Sequence, residues 1–180
     1  MGFAQLVQQM DIQTDLATAP GPIAEAGRAY RSVLVPLDGS PLAETVLPPI
    51  LAFAHGLDLE VVLFRVIPVF PPGTPEGARG EIEERSRQLR QEAEGYLRSV
   101  AERLEGRARF RIAVRRGEAA TEIVEAAADE HADLIAMTTH GRSGLSRLLF
   151  GSVAEAVLRQ AETPIFLKSA RESEAGRLAA

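Results

Sequence analysis

A chain of 180 residues is of a size for one domain, which buries roughly 70% of the surface that its unfolded form exposes. Apolar residues make up 46% of the chain and charged residues 25%, which excludes wholesale disorder and a fibrous repeat. The formal net charge of -5 argues against a general nucleic-acid surface, and the absence of cysteine excludes disulfides, thiolate nucleophiles and iron–sulfur clusters.

The first 30 residues mix a short apolar start with a stretch rich in alanine, proline and glycine. We predict a mobile extension over residues 1–30, with a short docked helix over residues 3–10 as the alternative. The stretch lacks the charged head and apolar centre of a signal peptide, and no apolar run approaches the roughly 20 residues that span a bilayer. We therefore expect a cytoplasmic protein that does not enter a membrane.

The first strand is predicted over residues 32–38, a β-branched apolar run without alternation, as is typical of a parallel strand covered on both faces. Helical spacing of apolar residues follows up to Gly56, with Ser40 as the cap and Pro41 at the first helical position. The pair Pro48-Pro49 interrupts this pattern, because a proline inside a helix costs about 3 kcal/mol. We expect a kink or a restart of the helix there.

A second buried strand is predicted over residues 59–67, and an irregular proline-rich loop over residues 68–75. The longest helix comes next, with one apolar stripe over residues 82–104 and charged residues on its other face. Residues 109–115 alternate, with Phe110, Ile112 and Val114 on one side and arginine at three of the four other positions. This alternation predicts an edge strand with one solvated face.

The rest of the chain predicts a helix over residues 119–131, a strand over 133–138, a glycine-punctuated loop to Gly151, a helix to Ala161 and a strand over 164–168. Strands that alternate with helices imply a parallel sheet with right-handed crossovers. The predicted fold is therefore an α/β doubly wound three-layer sandwich. We place this domain over residues 31–169 and a tail over residues 170–180.

Ligands of such sheets bind beyond the carboxyl ends of the strands, where the direction of winding reverses. Two loops at strand ends are candidates, over residues 36–40 and 138–152. The second loop ends in Gly151-Ser152 at the start of a helix, where backbone N–H groups and the helix dipole favour an anion such as phosphate. The spacing of its glycines fits neither a P-loop nor the dinucleotide-binding fingerprint.

Side chains within the second loop support the same expectation. Gly141 and Gly144 let the backbone approach a ligand, and Arg142 and Arg147 add positive charge. Glycine before a helix is also common at ordinary turns, so the loop alone leaves a plain turn as the alternative.

The sequence does not indicate a catalytic site. Asp38 before Gly-Ser-Pro is also typical of a helix cap or an Asx turn. Three scattered histidines without cysteine make no metal-ligand cluster, and the nucleophile motif G-x-S-x-G is absent. We therefore predict no catalytic residue and no metal ligand.

Three segments resemble the nucleotide-binding universal stress proteins: VLVPLDGS near the start, THGRSGLSRLLFGSVAEAVLR late in the chain, and TPIFL in the last strand. The likeness covers residues 32–169. The nucleotide loop of that family is G-x-x-G, nine residues, then G-[ST]. This chain supplies Thr138, Gly141, Gly151 and Ser152 at the four fixed positions, so a threonine replaces the first glycine.

The resemblance implies a five-stranded sheet in the order 3-2-1-4-5, of the adenine nucleotide alpha hydrolase type, with a nucleotide at the reversal point. Asp38 would lie by the ribose and adenine, and Val66 would meet the adenine with its backbone. Thr138 would offer its backbone to the ribose while its side chain crowds the site. The implied binding residues are Pro36, Leu37, Asp38, Ser40, Val66, Thr138, His140, Gly141, Arg142, Gly144, Gly151, Ser152 and Val153, with Gly141, Gly151 and Ser152 on the phosphates.

The resemblance also implies a function and two partners. The expected ligand is ATP, or ADP or AMP, with Mg²⁺ as the accompanying ion, and the protein would act as a stress-response sensor or regulator through nucleotide occupancy. A dimeric interaction module without nucleotide is the alternative that Thr138 suggests, and slow ATP hydrolysis is a further alternative. A homodimer is expected through residues 164–168, because an apolar final strand otherwise leaves an unpaired sheet edge. No nucleic acid and no membrane are expected as partners.

Overall fold

The computed structural model describes residues 30–69, 79–140 and 151–170. The predicted extension before Tyr30, most of the proline-rich loop, the middle of the second motif loop and the tail from residue 171 lie outside these ranges. In the described ranges, no helix combines the length and apolar character that crossing a membrane requires.

The described chain contains five strands and five helices, with two helices between the first two strands and one between each later pair. In chain order they are β1 (Ser32–Pro36), α1 (Pro41–Glu44), α2 (Leu47–Leu57), β2 (Glu60–Ile67), α3 (Arg79–Arg103), β3 (Arg109–Arg116), α4 (Ala119–Asp129), β4 (Leu134–His140), α5 (Ser152–Gln160) and β5 (Ile165–Ala170).

The sheet is parallel throughout, in the order β3-β2-β1-β4-β5. Val33 at its centre lies opposite Val61 of β2 on one side and Leu134 of β4 on the other. The doubly wound fold and the strand order that the resemblance implies are thus confirmed. The alternating strand β3 is an edge strand, as its pattern predicts.

The core consists of two apolar layers, one on each face of the sheet, because successive strand residues point to opposite faces. Val33 and Val35 pack with Leu97 of α3 in the layer beneath α2 and α3. Leu34 and Phe64 pack in the other layer, beneath α4 and α5. Helices on both faces explain why β1 and β2 show nearly continuous apolar sequence rather than alternation.

The helical pattern after β1 forms two helices, so the expected restart is confirmed. Ser40 caps α1, with its Oγ accepting a hydrogen bond from the Ala43 N–H at 3.1 Å. α2 then begins at Leu47, which places Pro48 and Pro49 in its first turn. Proline is tolerated there because the first N–H groups of a helix have no partner within it.

The ends of three later elements differ from the predicted bounds by a few residues. α4 ends at Asp129 rather than at residue 131, where His131 takes a φ of 51°. β4 continues to His140 because it pairs with β5 along that length. β5 begins at Ile165 and runs to Ala170, and the Pro164 carbonyl accepts a hydrogen bond from the Ile135 N–H at 2.9 Å just before it.

Candidate functional site

A cavity of about 240 Å³ opens at the carboxyl ends of β1, β2 and β4. The chain winds from β1 to β3 on one side and returns to β4 and β5 on the other, so the cavity lies where the winding reverses. Its lining residues are Pro36, Leu37, Asp38, Ala43, Phe64, Val66, Ala119, Ile123, Met137, Thr138, Gly151, Ser152, Val153 and Ala154.

The loop after β1 forms a tight turn that is held by a side-chain hydrogen bond. The Ser40 N–H donates to Asp38 Oδ1 at 2.8 Å, which makes an Asx turn, and Gly39 between them has a φ of 89°. Glycine suits this position because a side chain disfavours a positive φ. Asp38 therefore forms the local turn through one carboxylate oxygen, and the residue also lines the cavity.

Charged and aromatic side chains support this turn on the far side of the sheet from the cavity. The Arg65 guanidinium lies 5.0 Å from the centroid of the Tyr96 ring, a cation–π geometry. A Cβ on Gly39 would lie 3.0 Å from Arg65 Nη1, so the guanidinium touches the turn. Glu44, on α1 just after the turn, is the next charged residue of this group, and it contacts Tyr96.

Glu44 joins α1 to the long helix α3. Its carboxylate accepts a hydrogen bond from the Tyr96 hydroxyl at 2.9 Å and pairs with Arg103 at 2.6 Å. Burial and the hydrogen bond to Glu44 raise the pKa of Tyr96 well above its ordinary value, so the phenol stays a donor. α3 thereby holds Glu44, at the end of the segment that follows Asp38.

The N-terminus of α5 forms the opposite wall of the cavity. Gly151 is its N-cap with a φ of -53°, and as a glycine it has no side chain with which to cap the helix. Ser152 and Val153, in the first turn of this nine-residue helix, line the cavity. The N–H groups of a first turn and the positive end of the helix dipole favour an anion at such a wall.

The hydroxyl groups of Thr138 on β4 and Thr45 at the end of α1 are in contact beside the cavity. Thr138 Oγ1 lies 3.2 Å from Thr45 Oγ1 and 3.3 Å from the Ala43 carbonyl oxygen. Thr45 is buried, and its own hydroxyl donates to the Leu42 carbonyl at 2.7 Å. The side chain of Thr138 is thus held by α1 while the residue lines the cavity.

Eight of the thirteen residues that the resemblance implies line this cavity: Pro36, Leu37, Asp38, Val66, Thr138, Gly151, Ser152 and Val153. Ser40 is not among the lining residues, and its hydroxyl caps α1. The His140 backbone ends β4, where it pairs with Ala170. Gly141, Arg142 and Gly144, and with them Arg147, lie outside the described residues.

Sequence reasoning missed six lining residues: Ala43, Phe64, Ala119, Ile123, Met137 and Ala154. A signal existed for Phe64, which precedes Val66 by two residues on the same face of β2. Ala119 also begins a helix directly after a strand. Ile123 and Met137 carried no such signal, because a cavity wall and a packed core require the same apolar residue types.

The cavity has an apolar part and a polar part. Phe64, Val66 and Met137 belong to an apolar wall, which suits a flat ring. Asp38 offers a carboxylate, and the first turn of α5 offers donors. Among the described lining residues, Asp38 carries the single ionisable side chain. One cavity thus combines an apolar wall, a carboxylate residue and a helix terminus that favours an anion.

Comparisons with known proteins agree with this architecture. The model of the universal stress protein family matches residues 29–167. Universal stress protein MJ0531 of Methanocaldococcus jannaschii is 36% identical over 140 residues, which are 77% of this chain and 81% of that protein. The solved structure of MJ0577, a universal stress protein of the same organism, superposes with a TM-score of 0.65 at 28% identity, covering 80% of this chain and 99% of that one.

A further solved structure, of a universal stress protein family member from Burkholderia pseudomallei, gives a TM-score of 0.61 at 25% identity and covers 79% of this chain and 98% of its own. Sequence, fold and strand order therefore agree. The resemblance carried by the three sequence segments is confirmed, and the chain belongs to the universal stress protein family.

Proposed function

We propose that this universal stress protein binds ATP, or the related ADP or AMP, in the cavity between β1 and β4 and acts as a stress-response regulator through nucleotide occupancy. One observation carries the proposal: a single cavity joins an apolar wall, the Asp38 carboxylate and the N-terminus of α5. These three features match the base, sugar and phosphate of one nucleotide.

Each part of the nucleotide has a chemical reason for its place. The base would lie on the wall that includes Phe64 and Val66, because stacking an aromatic ring there removes apolar surface from water. Sugar hydroxyls would donate to Asp38, which accepts but does not donate. Phosphate oxygens would accept from the first turn of α5 at Ser152, and Mg²⁺ would enter with the phosphates.

Structures with the same fold have been solved with such ligands. One is a universal stress protein in complex with cAMP, at a TM-score of 0.53 and 21% identity. Another is a universal stress protein family member from Arabidopsis thaliana with AMP bound, at a TM-score of 0.53 and 14% identity. At these identities the likeness shows the fold alone, so the choice of ligand for this chain rests on its own cavity.

Calorimetry on stripped protein tests the proposal. Protein that has been unfolded, freed of small molecules and refolded is titrated with ATP, ADP and AMP up to millimolar concentration. We expect saturable heat with at least ATP, and mass spectrometry of untreated protein to release an adenine nucleotide on denaturation. If refolded protein with a native circular dichroism spectrum binds none of the three, the proposal is wrong.

A dimeric interaction module without nucleotide is the second candidate function. The observation that favours it is Thr138, whose side chain occupies a position that is glycine in the family's nucleotide loop. The same mass spectrometry separates the candidates, since this module would release no nucleotide. Slow ATP hydrolysis would need a base, and Asp38, the ionisable group of the described lining, already accepts the Ser40 N–H.

We also propose that the chain forms a homodimer through β5. This strand is at an edge of the sheet, and Phe166 on it is 38% exposed, with Leu158 on the preceding helix at 39%. An exposed apolar edge strand is a common pairing surface.

Light scattering is expected to give a dimer mass at tens of micromolar, twice the 19.4 kDa of one chain. Phe166→Glu should shift the mass toward the monomer, because it places charge in the paired edge. Phe53→Glu is the matched control, since Phe53 is similarly exposed, at 44%, but lies on α2. A monomer mass for the unchanged chain would contradict the dimer.

A further inference from the structure

The guanidinium of Arg65 lies against the backbone of Gly39, in the turn that carries Asp38. The position of a Cβ on Gly39 is 3.0 Å from Nη1, 3.1 Å from Nη2 and 3.3 Å from Cζ of Arg65, so the planar group occupies the space that a side chain would take there. Gly39 has a φ of 89°, and glycine loses more conformational freedom than any other residue when it is fixed. The contact therefore restricts the residue of the turn that has no side chain to restrict it.

Arg65 is itself held by an aromatic ring. Its guanidinium lies 5.0 Å from the centroid of the Tyr96 ring on α3, and it forms no hydrogen bond or ion pair with the other described residues. A planar guanidinium stacks well on an aromatic face. The position of this charged group is therefore set by Tyr96 and not by a carboxylate.

Hydrogen bonds anchor the rest of the turn. The Leu37 N–H donates to the Phe64 carbonyl at 2.8 Å, and the Ser40 N–H donates to Asp38 Oδ1 at 2.8 Å. Phe64 and Asp38 both line the cavity. Because successive strand residues point to opposite faces, β2 supplies part of the cavity wall on one face and, from its next residue, the arginine that contacts the turn on the other.

We propose that Arg65 is a positioning residue, which restricts Gly39 and so holds Asp38 in place before a nucleotide binds. This inference rests on the proposed function. A turn that is ordered in advance spares the ligand the entropy of ordering it, so Arg65 raises the affinity without touching the ligand. The backbone entropy of one residue corresponds to a factor of roughly 5–30 in affinity.

Arg65→Met tests the proposal, because methionine keeps an apolar stem but ends before the Cζ and Nη atoms that contact Gly39. We expect the ATP affinity, measured by calorimetry, to fall roughly 5- to 30-fold. In the ligand-free protein, NMR relaxation should show the order parameter of the Gly39 N–H falling from about 0.85 to below about 0.6, while that of Val33 stays at about 0.85. The matched control is Arg109→Met, at the start of β3, where the arginine pairs with Asp58; it should change neither quantity.

The order parameter separates positioning from a general loss of structure, because it is measured on single residues of the folded protein without a ligand. If Arg65→Met fails to fold, Arg65→Gln takes its place, and an order parameter of Gly39 below about 0.6 in the unchanged chain overturns the inference by itself. An order parameter or an ATP affinity that Arg65→Met leaves unchanged also overturns it, while nucleotide binding stands. If the unchanged chain binds no nucleotide, the proposed function is wrong, and this inference falls with it.

Discussion

Gly151→Val is expected to weaken ATP binding at least tenfold, about 1.4 kcal/mol, while the fold survives. Gly151 is the N-cap of α5 and lines the cavity, so a branched side chain there takes space that the phosphates would occupy. Its φ of -53° is open to any residue, so the substitution does not strain the backbone. Calorimetric titration measures the affinity, and circular dichroism checks the fold.

The matched control for this substitution is Gly95→Val. Gly95 lies on the exposed face of α3, and a Cβ added there meets nothing within 4 Å. The control adds the same side chain away from the cavity and should leave ATP affinity unchanged. If Gly151→Val binds ATP as tightly as the unchanged chain, the N-terminus of α5 is not part of the site.

Phe64→Ala is expected to lower the free energy of unfolding by about 3–5 kcal/mol. Phe64 is 0% exposed, lies on β2 between β1 and β3, and packs in the layer beneath α4 and α5. Removing its ring takes away buried apolar surface and leaves a void that merges with the cavity it lines. Urea unfolding followed by circular dichroism measures the change.

Two comparison variants separate loss of packing from loss of an aromatic ring. Phe64→Leu keeps most of the volume and should cost under about 1.5 kcal/mol. Phe53→Ala, at a position 44% exposed on α2, should change stability by no more than about 0.5 kcal/mol. A cost for Phe64→Ala as small as that of Phe53→Ala would mean that this part of the sheet is not packed as described.

Most of the fold could be predicted because its elements carry local patterns. The runs that form β1 and β2 are apolar without alternation, and β3 alternates, which separates the centre of the sheet from its edge. The proline pair predicted an interruption but not where the second helix begins. That position depends on a first turn that accepts Pro48 and Pro49, together with burial of Leu47 and Ile50.

The candidate site was predictable only where a motif marks it. Asp38, Gly151 and Ser152 stand in recognisable loops, and they line one cavity. The support of the Asp38 turn has no local pattern, because Glu44 and Tyr96 are 52 residues apart and their contact depends on how α1 and α3 pack. The sequence marks Thr138 as an exception to the family's glycine, but the contacts of its hydroxyl with Thr45 and Ala43 depend on how α1 packs against β4.

The contact between Tyr96 and Glu44 gives the chain a built-in optical reporter. The sequence has no tryptophan and two tyrosines, Tyr30 and Tyr96, so near-ultraviolet emission comes from these two rings. In a Tyr30→Phe background, Tyr96 is the single strong emitter, with its hydroxyl on Glu44 and its ring face against Arg65. If the Asp38 turn moves and shifts Glu44 or Arg65, the surroundings of the Tyr96 ring change. Such a movement can therefore be followed by tyrosine fluorescence without an attached dye.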